Sequence, residues 1–207
     1  MTEKIQKCSS GQLGQILLDG LEEIIGLSGV NAVLDQARLY RLMGPSRTES
    51  PKNIRLDNFI EMQSALEALY GVRGGQGTAL RAGRVSFHCI LRENGDEMGL
   101  NTPDFRFRPT AYKISTGLAI LAEKFSGFCS ENIRVFEDET AWIWEVVCQS
   151  SSSTPQLMTT CNHFILGMLQ EFTQWAAGGK HYVLNQVRCG NLSEQSSQIR
   201  IEKRAMD

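Results

Sequence analysis

No stretch of about 18 consecutive apolar residues occurs in the chain, which excludes a transmembrane helix. Charge of one sign is also scarce in excess: 21 Lys and Arg face 23 Asp and Glu, for a net charge of -2. That balance rules out a strongly basic nucleic-acid binder and gives no reason to invoke an anionic membrane surface. The N-terminal "MTEKIQKCSSGQ" lacks the apolar core of a secretory signal, so a cytoplasmic protein is expected. The six cysteines (Cys8, Cys89, Cys129, Cys148, Cys161, Cys189) form no CxxC pair. In a cytoplasmic chain they read as reduced core residues or metal ligands rather than as a disulfide frame. Only three histidines are present, His88, His163 and His181, and none sits in a nucleophile motif. His163 and Cys161 lie two positions apart, so on a helix their side chains diverge by about 200°. The glycine-rich "GVRGGQGTALR" has no parallel-type strand before it and no Gly-Lys-Ser/Thr after it, so it is not a phosphate loop. No nicotinamide or flavin fingerprint is found. No enzyme signature stands out.

What is present is a chain of 207 residues, 42% apolar and 21% charged, enough for one domain with a substantial core. Helical spacing links Leu13, Leu17, Leu21, Ile24 and Ile25, and glycines at Gly26 and Gly29 interrupt it. A second helix follows through Val30, Val33, Leu34, Ala37 and Tyr40, with Ser28 placed to cap it. Gly44-Pro45 ends it, and "SRTESPKNIR" is a polar connection. A third helix opens with Asn58 and Glu61 at capping-box-like spacing and runs through Phe59, Met62, Leu66 and Leu69.

The glycine cluster from Gly71 to Gly77 then predicts a break, after which Leu80, Gly83, Phe87 and Ile90 resume the helical period. Small residues at Ala79, Ala82 and Gly83 would let another backbone approach closely. "ENGDEMGLNTPDFRFRP" reads as a long loop. Pro109 suits the first turn of a helix that turns Ala111, Ile114, Leu118, Leu121 and Phe125 inward. Two short β-branched and aromatic runs in "NIRVFEDETAWIWEVVCQ" form a hairpin, with Trp142, Trp144, Val146 and Cys148 on one face. After the serine run Ser150 to Ser153 comes a helix carrying Cys161, Phe164, Ile165, Met168, Phe172 and Trp175, stopped by Gly178-Gly179. "HYVLNQVRCG" and "SSQIRIEKR" make a second hairpin. Helices first, then β-β-α-β-β, predict an α+β domain with an antiparallel sheet covered by helices. No internal repeat and no inter-domain linker are read, so residues 1–207 are taken as one domain. The aromatics Phe87, Phe107, Tyr112, Trp142 and Trp144 either line a cavity or simply build the core.

The segment "CNHFILGMLQEFTQWAAGGKHYVLNQVRCGNLSEQSSQIRIEK", with Cys161, Gly167, Gly178-Gly179 and Cys189, resembles the ending of the four-vinyl reductase domain family. "ALYGVRGGQGTALRAGRVSF" and "FRFRPTAYKISTGLAILAEKFSG" look like that family's middle helices, so the resemblance spans roughly residues 13–203. It implies helices packed on an antiparallel sheet around an apolar pocket, commonly in a homodimer. The family fold is similar to tethering-complex subunits of transport particles and, more distantly, to haem-based nitric oxide sensors. The family's zinc ligands are a helix cysteine, a glutamate and two later cysteines. Here Gln186 and a residue at or near Ser197 stand at two of these positions, leaving Cys161 and Cys189. Cys148 could supply a third sulfur, but nothing in the sequence places it there. Two thiolates and an amide make a poor tetrahedral zinc site, so no metal or other cofactor is expected.

The implied pocket lies between the middle helices and the sheet, with Phe87, Phe107, Tyr112, Trp142 and Trp144 as its walls. His88, Arg106 or Arg108 would orient a polar or carboxylate edge of the ligand. The expected function is non-enzymatic binding of a hydrophobic small molecule, an aromatic hydrocarbon or a tetrapyrrole precursor, as sensor or carrier. With no room for an output domain, the chain would act through a separate protein partner or as a carrier. The competing readings are an accessory or enzyme of tetrapyrrole vinyl reduction, and an assembly subunit whose cavity is empty or holds an acyl chain.

Overall fold

The computed structural model describes residues 10–43, 56–126, 132–147, 162–191 and 194–206. The polar connection at 46–55, the serine run and Cys8, Cys129, Cys148 and Cys161 lie outside the described residues, as does the side chain of Cys189. Helix α1 (Ser10–Gln36) leads through a short 3-10 turn at Tyr40–Leu42 to the long helix α2 (Leu56–Asn94). Then come α3 (Pro103–Arg106), α4 (Thr110–Ser126), β1 (Asn132–Glu137), β2 (Ala141–Val147), α5 (His163–Ala176), β3 (Tyr182–Asn191) and β4 (Glu194–Ala205). The four strands form one antiparallel sheet in the order β1-β2-β4-β3. The expected α+β fold, helices over a β-β-α-β-β sheet, is the one observed.

The helical half departs from expectation in how glycine acts. The break predicted across the whole 71–77 cluster is confined to Gly71 (φ 74, ψ 161), and α2 continues through the other glycines. Likewise α1 bends only at Gly26 (φ 71, ψ 165), while Gly29 stays helical. These two bends share one backbone conformation, and their sequences align: LEEIIGLSG at 21–29 with LEALYGVRG at 66–74. The two nine-residue segments share only the leucine, the glutamate and two glycines. Each bend lies where essentially only glycine is accommodated. A Cβ at Gly71 would meet nothing within 4 Å. Gly71→Ala is thus expected to cost about 1–3 kcal/mol through the backbone alone, read as a lowered denaturation midpoint.

Beyond the bend, α2 folds back on itself. Gly75 sits directly on the backbone of Leu66 and Glu67, and Gln76 Nε2 donates to Glu67 Oε1 at 3.3 Å. This return leaves Leu69, expected inside, 43% exposed beside Tyr70 and Val72. Further along, Gly83 faces α5, as its size predicted, while the Ala82 carbonyl lies against Gly20 of α1. A side chain on Gly83 would run into the carbonyl of Phe164, and one on Gly167 into the carbonyl of Leu80. At the same crossing the buried Gln63 side chain accepts the His163 backbone N–H at 2.7 Å. That bond and the Asn162 cap, whose Oδ1 accepts the Ile165 N–H at 3.2 Å, satisfy two donors at the start of α5.

Three smaller corrections follow from local chemistry. The loop predicted over 93–109 contains α3, capped by Thr102 with Pro103 at its first position. Ala111 and Tyr40 are exposed rather than inward. Asn58 does not open its helix, which begins at Leu56; its amide instead donates to Glu61 at 3.3 Å. Leu17, Leu21, Leu34, Phe59, Leu66, Phe87, Leu118, Phe125, Phe172 and Ile201 belong to one hydrophobic cluster joining the helices to the sheet.

Candidate functional site

Alternation along each strand gives the sheet an inner face directed at the helices. On it stand Ile133 and Val135 from β1, Trp142, Trp144 and Val146 from β2, Ile199 and Ile201 from β4, and Tyr182 and Leu184 from β3. Trp142 and Trp144 are 3% and 1% exposed. Trp144 packs edge-on against Phe125 of α4 at 6.2 Å between centroids, and Trp142 against Tyr182 at 6.0 Å. At the rim, the Lys203 ammonium lies 5.7 Å from the centre of the Trp142 ring and pairs with Glu137 at 3.0 Å.

Both indole nitrogens, Trp142 Nε1 and Trp144 Nε1, are buried without an acceptor among the described residues. The next polar group on this face is Gln186, which shares a cross-strand row with Ile199 and Trp144. Its amide nitrogen donates to Ser197 Oγ at 2.9 Å, and its Oε1 is buried without a donor. Two unpaired donors and one unpaired acceptor therefore stand on an otherwise apolar wall. Each such group costs about 1–3 kcal/mol when left dry, a heavy load for a domain with net stability of about 5–15 kcal/mol. Bound water or a ligand with complementary groups would relieve it.

The other expected wall residues sit elsewhere. Phe87 is buried in the helical layer, edge-on to Phe172 and Trp175, each at 5.8 Å. His88, one position on, points out, its side chain 59% exposed, with Nε2 2.9 Å from Glu171 Oε1. Phe107 is 90% exposed. Arg106 and Arg108 are exposed, and the Arg108 guanidinium lies 5.4 Å over the ring of Tyr112, itself about half exposed. In "FRFR" it is Phe105 that turns inward and stacks on Trp175 at 6.1 Å. Helical residues two apart diverge by about 200°, so α3 sends Phe105 and Phe107 to opposite sides. Gln186 was noted in the sequence only as a departure from a metal-ligand pattern. Alternation with Tyr182 and Leu184 was the signal that it faces inward. Among the described residues no group of three or more His, Cys, Asp or Glu is placed to hold a metal ion.

The other face of the sheet, at the same end as Trp142, carries charge instead. A polar groove of about 650 Å³ is lined by Glu139, Thr140, Asn185, Arg200, Glu202 and Arg204, among others. Asp138 organises it: Oδ1 accepts the backbone N–H groups of Thr140 and Ala141, and Oδ2 accepts Arg200 at 2.7 Å. The Arg200 guanidinium, with the Thr140 and Ala141 donors, holds the Asp138 carboxyl well below the usual carboxylate range. A depressed folded-state pKa stabilises the fold above the unfolded value, near 4, and that stabilisation disappears as pH falls below it. Asp138→Asn is therefore expected to flatten the acid limb of a stability-versus-pH curve below about pH 4, while leaving its neutral slope unchanged.

No protein-family model matches the chain, and no curated protein matches it. Solved structures do. An oxygen-binding H-NOX domain related to soluble guanylate cyclases, in its oxygen complex, is 12% identical with a TM-score of 0.57, covering 95% of this chain and 96% of that one. A point mutant of the T. tengcongensis H-NOX is 14% identical with a TM-score of 0.57, covering 96% and 100%. A Cs H-NOX carrying 4-cyano-L-phenylalanine is 14% identical with a TM-score of 0.58, covering 95% and 97%. These likenesses overturn the resemblance to the four-vinyl reductase family, whose ending was matched on a few cysteines and glycines that other helix-plus-hairpin chains share. No helix among the described residues is long and apolar enough to cross a membrane. At this level of identity the likeness is one of fold, and the chain has the fold of the H-NOX domains.

Proposed function

We propose that the chain is a non-enzymatic ligand-binding domain, a sensor or carrier, whose small apolar ligand lies against the inner face of the sheet. The observation that carries this reading is the set of three unpaired buried polar atoms, Trp142 Nε1, Trp144 Nε1 and Gln186 Oε1, on one apolar wall. Such a set is complementary to a molecule with an aromatic or aliphatic body, one or two acceptor oxygens for the indoles, and a donor for Gln186. The body would be bound by area burial, and the edge groups would fix its orientation. The H-NOX likeness supports a sensor domain, since one of the similar structures is an oxygen complex. Binding would act by favouring one arrangement of the helices over another. The bends at Gly26 and Gly71 are places where α1 and α2 can yield, and an altered helical surface could then be read by a second copy or a separate protein.

Native mass spectrometry of the chain purified from its own cells tests this directly. The expected result is a stoichiometric apolar adduct with at least one hydrogen-bonding oxygen. Bare protein alone, with bound water filling the two indole sites in a high-resolution structure, would defeat the proposal.

A further inference from the structure

The H-NOX structures that this fold resembles include one in which haem redox potential was tuned through porphyrin distortion. Haem is thus the group the fold suggests, and the donor set of this chain does not fit it. We infer that none of the described residues coordinates haem iron and that the ligand of this domain is metal-free. The inference narrows the ligand-binding reading above and rests on the same inner-face site.

Protein ligands to haem iron are histidine, cysteine thiolate, tyrosine, or methionine paired with histidine. All three histidines of the chain are described, and none is buried. His88 and His181 are exposed, and half-buried His163 opens α5 beside the Gln63 carbonyl. Of the four tyrosines, Tyr40, Tyr70 and Tyr112 are exposed, and only Tyr182 reaches the sheet face, held edge-on to Trp142. Cys89, the described free cysteine, is half-buried on α2, where burial pushes its thiol up and away from the thiolate. Helix α4, which lies along β1, turns Ile114, Leu118, Leu121 and Phe125 inward. Among the described residues the buried polar ones are Asn58, Gln63, Ser86 and Thr173, and Met62 and Met168 are buried in the hydrophobic cluster. The inner-face indoles are donors only. They complement an acceptor oxygen and cannot ligate a metal.

The test compares two probes with one macrocycle, hemin and iron-free protoporphyrin IX, titrated into the full chain. Absorbance is followed before and after reduction. The expected result is that iron adds nothing: the two dissociation constants agree within about threefold, and the reduced Soret band is that of unligated haem. The inference is overturned if hemin binds more than about tenfold tighter and shows the spectrum of an axial nitrogen, thiolate or phenolate ligand. His163→Ala and Tyr182→Phe would then identify which side chain it is. Binding of neither porphyrin also supports the inference. Joined to a native mass spectrum without adducts, that outcome would defeat the ligand-binding reading alone.

Discussion

Gly167→Ala and Gly83→Ala should each destabilise the chain by about 3 kcal/mol, lowering Tm by about 6–12 °C for a domain of this size. Helix propensity works the other way, since alanine is favoured over glycine in a helix by about 1 kcal/mol. Packing decides the sign. The added methyl at either position would meet a main-chain carbonyl of the facing helix, Leu80 or Phe164, and a carbonyl held within a helix cannot swing aside as a flexible side chain would. To admit the methyl, α2 and α5 must separate, opening the contacts of Phe87 with Phe172 and Trp175. Gly77→Ala is the control on the same helix. A Cβ there meets nothing within 4 Å, so the substitution should be neutral or slightly stabilising. Thermal melts of the three variants check the argument. Equal midpoints would show that α2 and α5 do not cross at these glycines.

That crossing was partly legible in the sequence. Ala79, Ala82 and Gly83 declared a face of small residues on α2, and the facing helix at α5 was clear from Phe164, Ile165, Met168 and Phe172, all buried. The hairpins were legible too, because alternation of apolar residues along Trp142, Trp144 and Ile199, Ile201 has only one sheet face to satisfy. What composition hides is the conformation that a given glycine adopts. Gly71 takes a positive φ while Gly74, Gly75 and Gly77 remain helical, and nothing local in "GVRGGQG" separates them. The separation comes from tertiary contact, since Gly75 must lie against the Leu66 and Glu67 backbone. Trp142 and Trp144 lie on the inner face of the sheet, whereas Phe107, expected in the pocket wall, is carried to solvent by a single helical turn. Pairing is a property of three-dimensional geometry: no periodicity announces that Gln186 meets Ser197 through its nitrogen and leaves its oxygen unmet.

Trp144→Phe is expected to separate ligand binding from folding more cleanly than truncation to alanine. At 1% exposure, Trp144→Ala would open a large cavity beside Phe125 and cost about 3–5 kcal/mol, so a loss of binding would merely follow a loss of structure. Phenylalanine keeps most of the ring and deletes the nitrogen. In the ligand-free chain the deleted N–H has no acceptor, so its removal relieves about 1–3 kcal/mol of desolvation penalty, which offsets the lost packing area. Stability should therefore change little. On the proposed reading the same N–H donates to the ligand, so its removal should weaken binding by about tenfold, with Trp142→Phe acting alike and the pair acting together. Affinity falls while stability holds only if the indoles serve a ligand. Were Trp144→Phe to destabilise the fold and leave the affinity for the co-purifying molecule unaltered, the indoles would be core residues and the binding site would have to lie off this face.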